Sequence, residues 1–239
     1  MQILLKLSIY LSSLIFLLFP NNGLLAQDCK SYYFMTNNTE VEMTLYDANG
    51  KRSGVQTWKI SNVKNDGAGF QSTINSSFAD DKGNEIAKAT GLYKCYGGKL
   101  MADMRMSIPQ DNGQPITAGD AQVMDAYIEY PSILTEGMKL PDAFLSMQVT
   151  TSGIPSTTQF EMKNRTVVGK ENVKTDAGSW EAYKITYDAE IRVKMAGLGI
   201  PMIMKTMEWF VTNFGTVKSE TFSKKGKLKG TTILTKLKR

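Results

Sequence analysis

The sequence predicts an all-β protein whose strands form an antiparallel meander, curved into a sheet or half-barrel. Short runs of alternating apolar and polar residues recur along the chain, and clusters of Gly, Asn and Asp separate them. This pattern is typical of antiparallel strands joined by tight turns. The clearest run, from Tyr183 to Met195, covers thirteen residues and would span about 43 Å as a strand. A strand of that length must bend or twist within a curved sheet.

The turn signals divide the chain into about ten strands. In the first half they fall at 47–51, 65–67, 80–84 and 97–98. Sequential strands with such short connections usually pair directly. The predicted strands lie at 41–45, 58–60, 70–78, 86–96, 99–108, 144–149, 160–168, 183–195 and 207–211, and in a final hairpin around Lys224, Lys225, Gly226 and Lys227.

The middle of the chain, residues 109–141, is irregular and predicts a segment that crosses from one half to the other. Within it, residues 121–130 have apolar side chains at helical spacing, which predicts at most one or two short helices there. We expect a single β-rich domain over 27–239. Two similar halves, 27–108 and 142–239, are the alternative.

A weak internal sequence similarity bears on the alternative of two similar halves. Residues 46–54 and 222–230 both read aromatic-x-x-x-G-K-x-x-G and are followed by an alternating strand. A duplicated half-domain would produce this similarity, and so would two unrelated hairpins with similar turns. No repeat of regular period supports duplication.

The first 26 residues predict a cleaved signal peptide. Lys6 precedes an apolar run over 7–19, and the segment ends on Leu24-Leu25-Ala26, the layout of a secretory leader. The run is too short for a membrane span, and we expect no transmembrane span in the mature chain. The mature protein would begin at Gln27 and work outside the cytoplasm, in the periplasm or fully secreted.

The two cysteines, Cys29 and Cys95, predict a disulfide in such an oxidising compartment. The alternative is a lipoprotein in which Cys29 carries the lipid. Asp28 stands where a lipoprotein site needs a small residue. We therefore expect the disulfide and a protein that is not a lipoprotein.

Composition excludes several kinds of catalytic site. The chain has no histidine, so the Ser-His, Cys-His and HExxH arrangements are ruled out. Neither a GxSxG elbow nor a phosphate-binding GxxxxGK[ST] loop occurs. We expect no enzyme, no catalytic residues, no metal and no cofactor. A catalyst built on two carboxylates stays open, since paired acids cannot be located without a fold.

Methionines at 101, 104 and 106 raise the question of a copper site, because thioethers suit Cu(I). On a strand, Met104 and Met106 would share one face and Met101 would lie on the other. The three sulfur atoms would not converge, and flexible core filling explains these residues without a metal.

The segment 197–204 is glycine-rich and almost wholly apolar, and it predicts a loop after the long strand. Such a loop either packs under a sheet, forms the rim of an apolar pocket or contacts another protein. On a curved sheet, the pocket would suit an apolar small molecule, a lipid, or a lipidated or hydrophobic segment of a partner. The side chains predicted to line it are Tyr183, Ile185, Tyr187, Ile191, Met195, Ile200, Met202 and Met204.

The last 24 residues carry eight basic residues and one acidic residue. Apolar residues alternate with these lysines, which indicates the solvated face of a hairpin. The alternative is a structural or interaction module without a pocket, whose basic hairpin binds an envelope protein or an anionic surface. We expect no nucleic-acid partner for a protein outside the cytoplasm.

Several motifs are spread over nearly the whole mature chain. They include Cys29-Lys-Ser-Tyr32-Tyr33-Phe34, Glu129-Tyr130-Pro131-Ser132, Ala177-Gly178-x-Trp180-x-x-Tyr183 and Glu208-Trp209-Phe210-x-x-x-Phe214-Gly215. Together they resemble a family of secreted bacterial β proteins called TapB-like, which is related to a broader domain of unknown function. This resemblance implies an extracytoplasmic all-β protein with no established activity and no catalytic residues to carry over. More loosely, the chain resembles the half-barrel of LolA-like lipoprotein carriers, which hold an acyl chain against a concave sheet.

Overall fold

Twelve antiparallel strands form one nearly closed, barrel-like sheet in the computed structural model, which describes residues 29–65, 67–107, 126–151, 154–195 and 198–239. The predicted all-β antiparallel class is confirmed, with more strands than the ten expected. The strands are β1 (Glu40–Asp47), β2 (Arg52–Asn65), β3 (Gly69–Asp80), β4 (Glu85–Tyr96), β5 (Lys99–Asp103), β6 (Tyr127–Tyr130), β7 (Ala143–Thr151), β8 (Ile154–Thr175), β9 (Gly178–Met195), β10 (Leu198–Val211), β11 (Gly215–Ser223) and β12 (Leu228–Lys238).

The sheet is a meander whose two ends curl toward each other. Its order is β6-β5-β4-β3-β2-β1-β12-β11-β10-β9-β8-β7, so β1 pairs with β12 and the edge strands are β6 and β7. These edges lie close together and leave a seam between them. The predicted signal peptide over 1–26 and residues 108–125 of the predicted crossing segment lie outside the described residues, and the domain division stays a prediction.

The predicted hairpin turns form through local hydrogen bonds. Oδ1 of Asp47 accepts from the backbone N–H groups of Asn49 and Lys51 at 2.8 and 2.9 Å. Gly50 has a φ of 77°, a left-handed conformation that glycine adopts without steric cost. Asp80 makes the same two bonds in the β3–β4 turn. An aspartate that caps its own turn is what the sequence pattern predicts.

The helix predicted near 121–130 is wrong over its described part. Tyr127–Tyr130 forms strand β6, which pairs with β5. Residues 126, 128 and 130 are buried and residues 127 and 129 are half-buried, which is the period of a strand. The free edge of β5 supplies the backbone hydrogen bonds that a helix would have made internally.

The strand predicted over 99–108 ends early, at Asp103. Met104–Ser107 forms a 3₁₀ turn instead. The Asp103 carboxylate accepts from the backbone N–H of Arg105 at 3.0 Å and pairs with its guanidinium, which turns the chain away from the sheet. Met104 and Met106 are both buried, consistent with core filling.

The apolar loop predicted at 197–204 is also wrong, because residues 198–204 belong to β10. Leu198 pairs with Met195, and Met204 pairs with Ala189. Nearly every residue of this segment is apolar, so the alternation that marks a strand cannot be seen in its sequence.

The N-terminal segment closes one end of the barrel, which we call the closed end. The predicted disulfide joins Cys29 to Cys95 on β4. Two short 3₁₀ turns, Cys29–Ser31 and Tyr33–Met35, begin at the first cysteine, and the Tyr32 and Phe34 side chains are buried there. The Phe34 ring lies 5.0 Å from that of Tyr93 and 5.7 Å from that of Phe214. Burial raises the pKa of Tyr32 to about 12, so its hydroxyl stays neutral in ordinary buffers.

The opposite end, which we call the open end, carries the turns 47–51, 80–84 and 223–227. Here the four adjacent strands β7, β8, β9 and β10 extend further than the other strands of the sheet. β11 ends at Ser223, opposite Met204, whereas β10 extends to Leu198. These four longer strands form a projecting part of the sheet on one side of the open end, which we call the tall wall.

Candidate functional site: a cavity inside the sheet

A cavity of about 320 Å³ lies inside the barrel-like sheet. Both halves of the chain contribute to its walls: Met43 and Leu100 come from the first half, and Phe160, Ile191 and Met204 from the second. Its volume is at the lower end of the range typical of small-molecule sites. The cavity is the candidate functional site.

Three of the eight predicted ligand-lining residues, Tyr187, Ile191 and Met204, line this cavity. The pairing of β9 with β10 brings them together, since Tyr187 lies opposite Thr206 and Met204 lies opposite Ala189. Their role in binding a ligand stays a prediction.

The other five predicted residues lie elsewhere. Ile185 is fully buried. Tyr183 is half-buried and lies under the Lys170 ammonium group, which is 5.0 Å from its ring centre. Met202 is 55% exposed. The side chains of Met195 and Ile200 lie outside the described part of the structure.

Apolar side chains continue from the cavity to the open end along the inner face of the tall wall. The inner face of β9 follows Tyr187, Ala189 and Ile191, and the same alternation places Val193 on it. Val193 is 45% exposed and Leu198, near the tip of β10, is 81% exposed. Exposed apolar side chains that adjoin a cavity are typical of a binding site.

Glu208, which sequence reasoning did not single out, is the acidic group of the cavity. Its side chain lines the cavity on β10 and is only 4% exposed. Burial raises the pKa of Glu208, while the nearby Arg165 guanidinium and the hydroxyl groups of Tyr130 and Thr216 act in the opposite direction. Its Oε1 atom is buried and has no hydrogen-bond partner among the described residues.

The only sequence signal for Glu208 is an acid inside an apolar run, and the usual alternation points the wrong way. Its neighbours Met207 and Trp209 are apolar, which would place them inward and Glu208 outward. Trp209 instead lies on the outer face and is buried there beneath Lys184 and Lys218, whose ammonium groups are 5.2 and 4.3 Å from its ring. Glu208 therefore faces inward.

Arg165 supplies a positive charge near Glu208 and holds the seam of the sheet. It lies on β8 and is 1% exposed. One guanidinium nitrogen, Nη1, donates to the carbonyl oxygens of Glu129 and Pro141 at 3.0 and 2.8 Å. The guanidinium is 4.9 Å from the ring centre of Tyr130, and that ring stacks on Phe210 at 4.2 Å. This stack crosses the interior from one edge of the sheet to β10.

Three tyrosines near Glu208 remain neutral hydroxyl groups. Burial raises the pKa of Tyr93, of Tyr130 and of Tyr187 above the ordinary range, and the charge of Glu208 contributes to each rise. A second acid, Asp103, also lines the cavity. Its carboxylate is already occupied by Arg105 and by the backbone N–H of Leu92 at 3.1 Å.

The interior therefore combines apolar walls, hydroxyl groups and one buried carboxyl group with an unpaired oxygen. Within the described ranges, no three cysteine or carboxylate side chains converge as metal ligands would, and the absence of a metal or cofactor stays a prediction. Lys224, Lys225 and Lys227 are exposed at the open end, so binding through a basic hairpin also stays a prediction.

The model of the DUF3108-like family matches residues 36–234. The narrower TapB-like and LolA-like resemblances stay predictions. No curated protein matches the chain. In the described parts of the chain, no helix has the length and apolarity that a membrane span requires.

Two solved structures share the fold. A lipoprotein from Parabacteroides distasonis has a TM-score of 0.70 and 21% identity, with 89% of this chain and 100% of that chain covered. A protein from Bacteroides fragilis, described as exported and as having a YmcC-like fold, has a TM-score of 0.67 and 18% identity, with 85% of this chain and 97% of that chain covered. At these identities the likeness shows the fold alone.

Proposed function

The chain belongs to the DUF3108-like family, and we propose that it is a non-enzymatic, extracytoplasmic protein that binds an apolar ligand inside its barrel-like sheet. The single observation that carries this proposal is the internal cavity of about 320 Å³ with apolar side chains on its walls. Burying apolar surface in such a cavity is the main driving force for binding.

The open end supports entry of an elongated ligand. Val193, Leu198 and Met202 extend the apolar inner face beyond the cavity and remain exposed. Covering such side chains would stabilise a bound complex by about 25 cal/mol per Å² of apolar surface. An acyl chain or a hydrophobic segment of a partner could lie along this wall with one end in the cavity.

Three features support a location outside the cytoplasm. The predicted leader over 1–26 directs export. The disulfide between Cys29 and Cys95 suits an oxidising compartment. The structural neighbours are described as an exported protein and a lipoprotein.

The proposal predicts that filling the cavity weakens binding. Met204→Trp places a larger side chain in the cavity and removes space that a ligand would occupy. Losing the burial of about two CH₂ groups of the ligand costs about 1.6 kcal/mol, so we expect the affinity for a fluorescent apolar probe such as N-phenylnaphthylamine to fall roughly tenfold or more. Fluorescence titration of the purified protein measures the change.

The matched control is Ile203→Trp on the adjacent residue, which points to the outer face of β10 and should leave probe affinity unchanged. Mass spectrometry of protein purified without detergent should also detect a co-extracted amphiphile. Absence of both probe binding and co-extracted amphiphile would show that the cavity does not hold an apolar ligand. If a peptide or a lipidated protein fragment co-purifies, the ligand is a partner segment.

A further inference from the structure

The far end of the tall wall projects well beyond the strand beside it. We call residues 191–195 of β9 and 198–205 of β10 the β9–β10 tip. β11 ends opposite Met204. β10 continues for six further residues, to Leu198, which corresponds to about 20 Å at 3.3 Å per residue. The tip can therefore contact another body while the neighbouring turn at 223–227 stays clear of it.

Apolar side chains are exposed on both faces of this tip. Leu198 and Met202 lie on the inner face, in the same alternation as Met204 of the cavity wall, and they are 81% and 55% exposed. Pro201 and Ile203 alternate with them and lie on the outer face, where Pro201 is exposed and Ile203 is 38% exposed. A ligand in the cavity accounts for the exposed apolar side chains of the inner face only. Those of the outer face indicate a different contact.

The charge of the tip is positive. Residues 190–207 contain one acidic and three basic residues, a net charge of +2: Glu190, Arg192, Lys194 and Lys205. Glu190 pairs with Arg192, so the two lysines carry the net charge. On the neighbouring strands β7 and β8, residues 143–160 contain no charged residue. The end of the tall wall therefore combines apolar surface with positive charge, which complements an anionic surface.

A lipid bilayer with anionic head groups matches both features. Lipid surrounds an inserted hairpin and covers both of its faces, whereas a ligand or a flat protein surface covers only one. Lys194 lies opposite Gly199, beside the apolar residues, where its long side chain can reach lipid phosphate groups. A second copy of the chain that paired edge to edge with β10 would leave both faces exposed. Pro201 in this edge also opposes such pairing.

We propose that the β9–β10 tip inserts into the interfacial region of a bilayer that contains anionic phospholipid and thereby docks the protein on a membrane. Interfacial amphipathic segments reach about 5–10 Å into a bilayer. The projecting tip supplies that depth without immersing the rest of the sheet. This docking goes beyond the proposed function and does not depend on a ligand in the cavity.

Co-sedimentation with vesicles tests this docking in the purified mature protein. One set of vesicles is phosphatidylcholine, and the other contains about one third phosphatidylglycerol. We expect binding to the second set to be about tenfold tighter at low salt and to weaken as salt screens the charges. Binding to neither set overturns the inference, and so does equal binding to both sets.

Substitutions on the two faces of the tip provide a second arm. Leu198→Asp and Pro201→Asp each place a carboxylate at the tip, and each should lower the affinity for the anionic vesicles about tenfold or more. The matched control is Ile133→Asp. Ile133 is 51% exposed in the loop that precedes β7, at the opposite end of that strand from its turn with β8. This substitution should leave the affinity unchanged.

A single lysine provides the third arm. Lys194→Gln removes one charge from the tip and should lower the affinity for the anionic vesicles about fivefold. Its control is Lys64→Gln, at an exposed lysine of β2 near the closed end, which should have no effect.

Vesicle binding that survives both tip substitutions, in variants that circular dichroism shows to be folded, overturns the inference. Loss of binding only on charge reversal of Lys224, Lys225 and Lys227 also overturns it and assigns the contact to the basic hairpin. If the tip substitutions change only the oligomeric state, the tip joins two copies of the chain and the inference fails.

The outer-face variant separates this docking from ligand binding. Pro201→Asp lies outside the cavity, so its affinity for N-phenylnaphthylamine, measured without vesicles, should match that of the unmodified protein. An unmodified protein that binds anionic vesicles but not the probe would remove the proposed function and leave the docking in place.

Discussion

Glu208 and Arg165 are ionisable side chains buried where apolar ones would be less costly. Removing a carboxylate or a guanidinium from water is expensive, and well-packed apolar residues often replace a buried ion pair without loss of stability. Glu208 lines the cavity, whereas Arg165 is buried at the seam and donates to the carbonyl oxygens of Glu129 and Pro141.

The raised pKa of Glu208 predicts a pH-dependent stability. Because its pKa is higher in the folded protein than in the unfolded chain, the folded state binds the proton more tightly. The free energy of unfolding should therefore fall as pH rises from about 4, the unfolded value, through the raised folded value. Glu208→Gln should lack this fall.

Urea denaturation of both proteins between about pH 4 and pH 8 measures the effect. The free energy of unfolding of Glu208→Gln, relative to that of the unmodified protein, should increase as pH rises. Glu190→Gln, which leaves the cavity unchanged, should follow the unmodified protein. A constant difference between Glu208→Gln and the unmodified protein across this range would contradict the prediction.

A bulge in β8 turns Arg165 into the interior. Before the bulge, the even-numbered residues Phe160 and Met162 line the cavity. The register with β9 shifts between Lys163 and Thr166, where Asn164 has a φ of 58°. Beyond that shift the odd-numbered residues, Arg165 among them, are the buried ones. One extra residue in a strand reverses which face its side chains occupy.

The bulge predicts that position 164 tolerates glycine better than a β-branched residue. A φ of 58° is costly for valine, by about 1–2 kcal/mol, and free of steric cost for glycine. Both substitutions lose the hydrogen bond from Nδ2 of Asn164 to Asp188, which measures 2.9 Å. Asn164→Val should therefore be less stable than Asn164→Gly by about 1–2 kcal/mol.

Urea denaturation of the two variants measures this difference directly. Because the lost side-chain bond is common to both, the comparison isolates the backbone conformation. Equal stability of the two variants would mean that the left-handed conformation at this position is not retained in solution.

The barrel-like shape of the whole molecule requires the two edge strands of the meander, β6 and β7, to approach each other. Both strands come from the middle of the chain. Hydrogen bonds from Arg165 reach both sides of the seam between β6 and β7. The disulfide ties the N-terminal segment across the closed end, so that Phe34 forms part of the cavity wall. Closure of the sheet and of its N-terminal end therefore shapes the cavity.

Removal of the disulfide should destabilise the whole molecule. The bridge joins residues 66 positions apart, and a loop of that length is worth about 4 kcal/mol in the chain-entropy account. The double variant Cys29→Ser, Cys95→Ser should lose about that much free energy of unfolding. Urea denaturation with and without a reductant measures it.

In this experiment the reductant should destabilise the unmodified protein by a similar amount and leave the double variant unchanged. An unmodified protein that is indifferent to reductant would show that the two cysteines are not bridged.

Local features of the sequence were enough to predict much of the architecture. Alternation in 183–195 predicted the core of β9, and the turn-forming aspartates and glycines at 47–51 and 80–84 predicted two hairpins. These signals depend on neighbours within a few residues. Prediction failed at 198–204 and at 127–130, where nearly uniform apolarity hid one strand and a misleading helical spacing suggested a helix.

The sequence by itself determined the all-β class, the hairpins and the pairing of the two cysteines, because each depends on local alternation, turn chemistry or residue count. Only the tertiary structure decided that the sheet curls into a cavity, that Glu208 faces this cavity and that Arg165 is buried at the seam. The physical reason is that the bulge at Asn164 reverses the inside and outside of β8, and that β10 buries the apolar Trp209 on its outer face while Glu208 lines the cavity. No local pattern in the sequence records either feature.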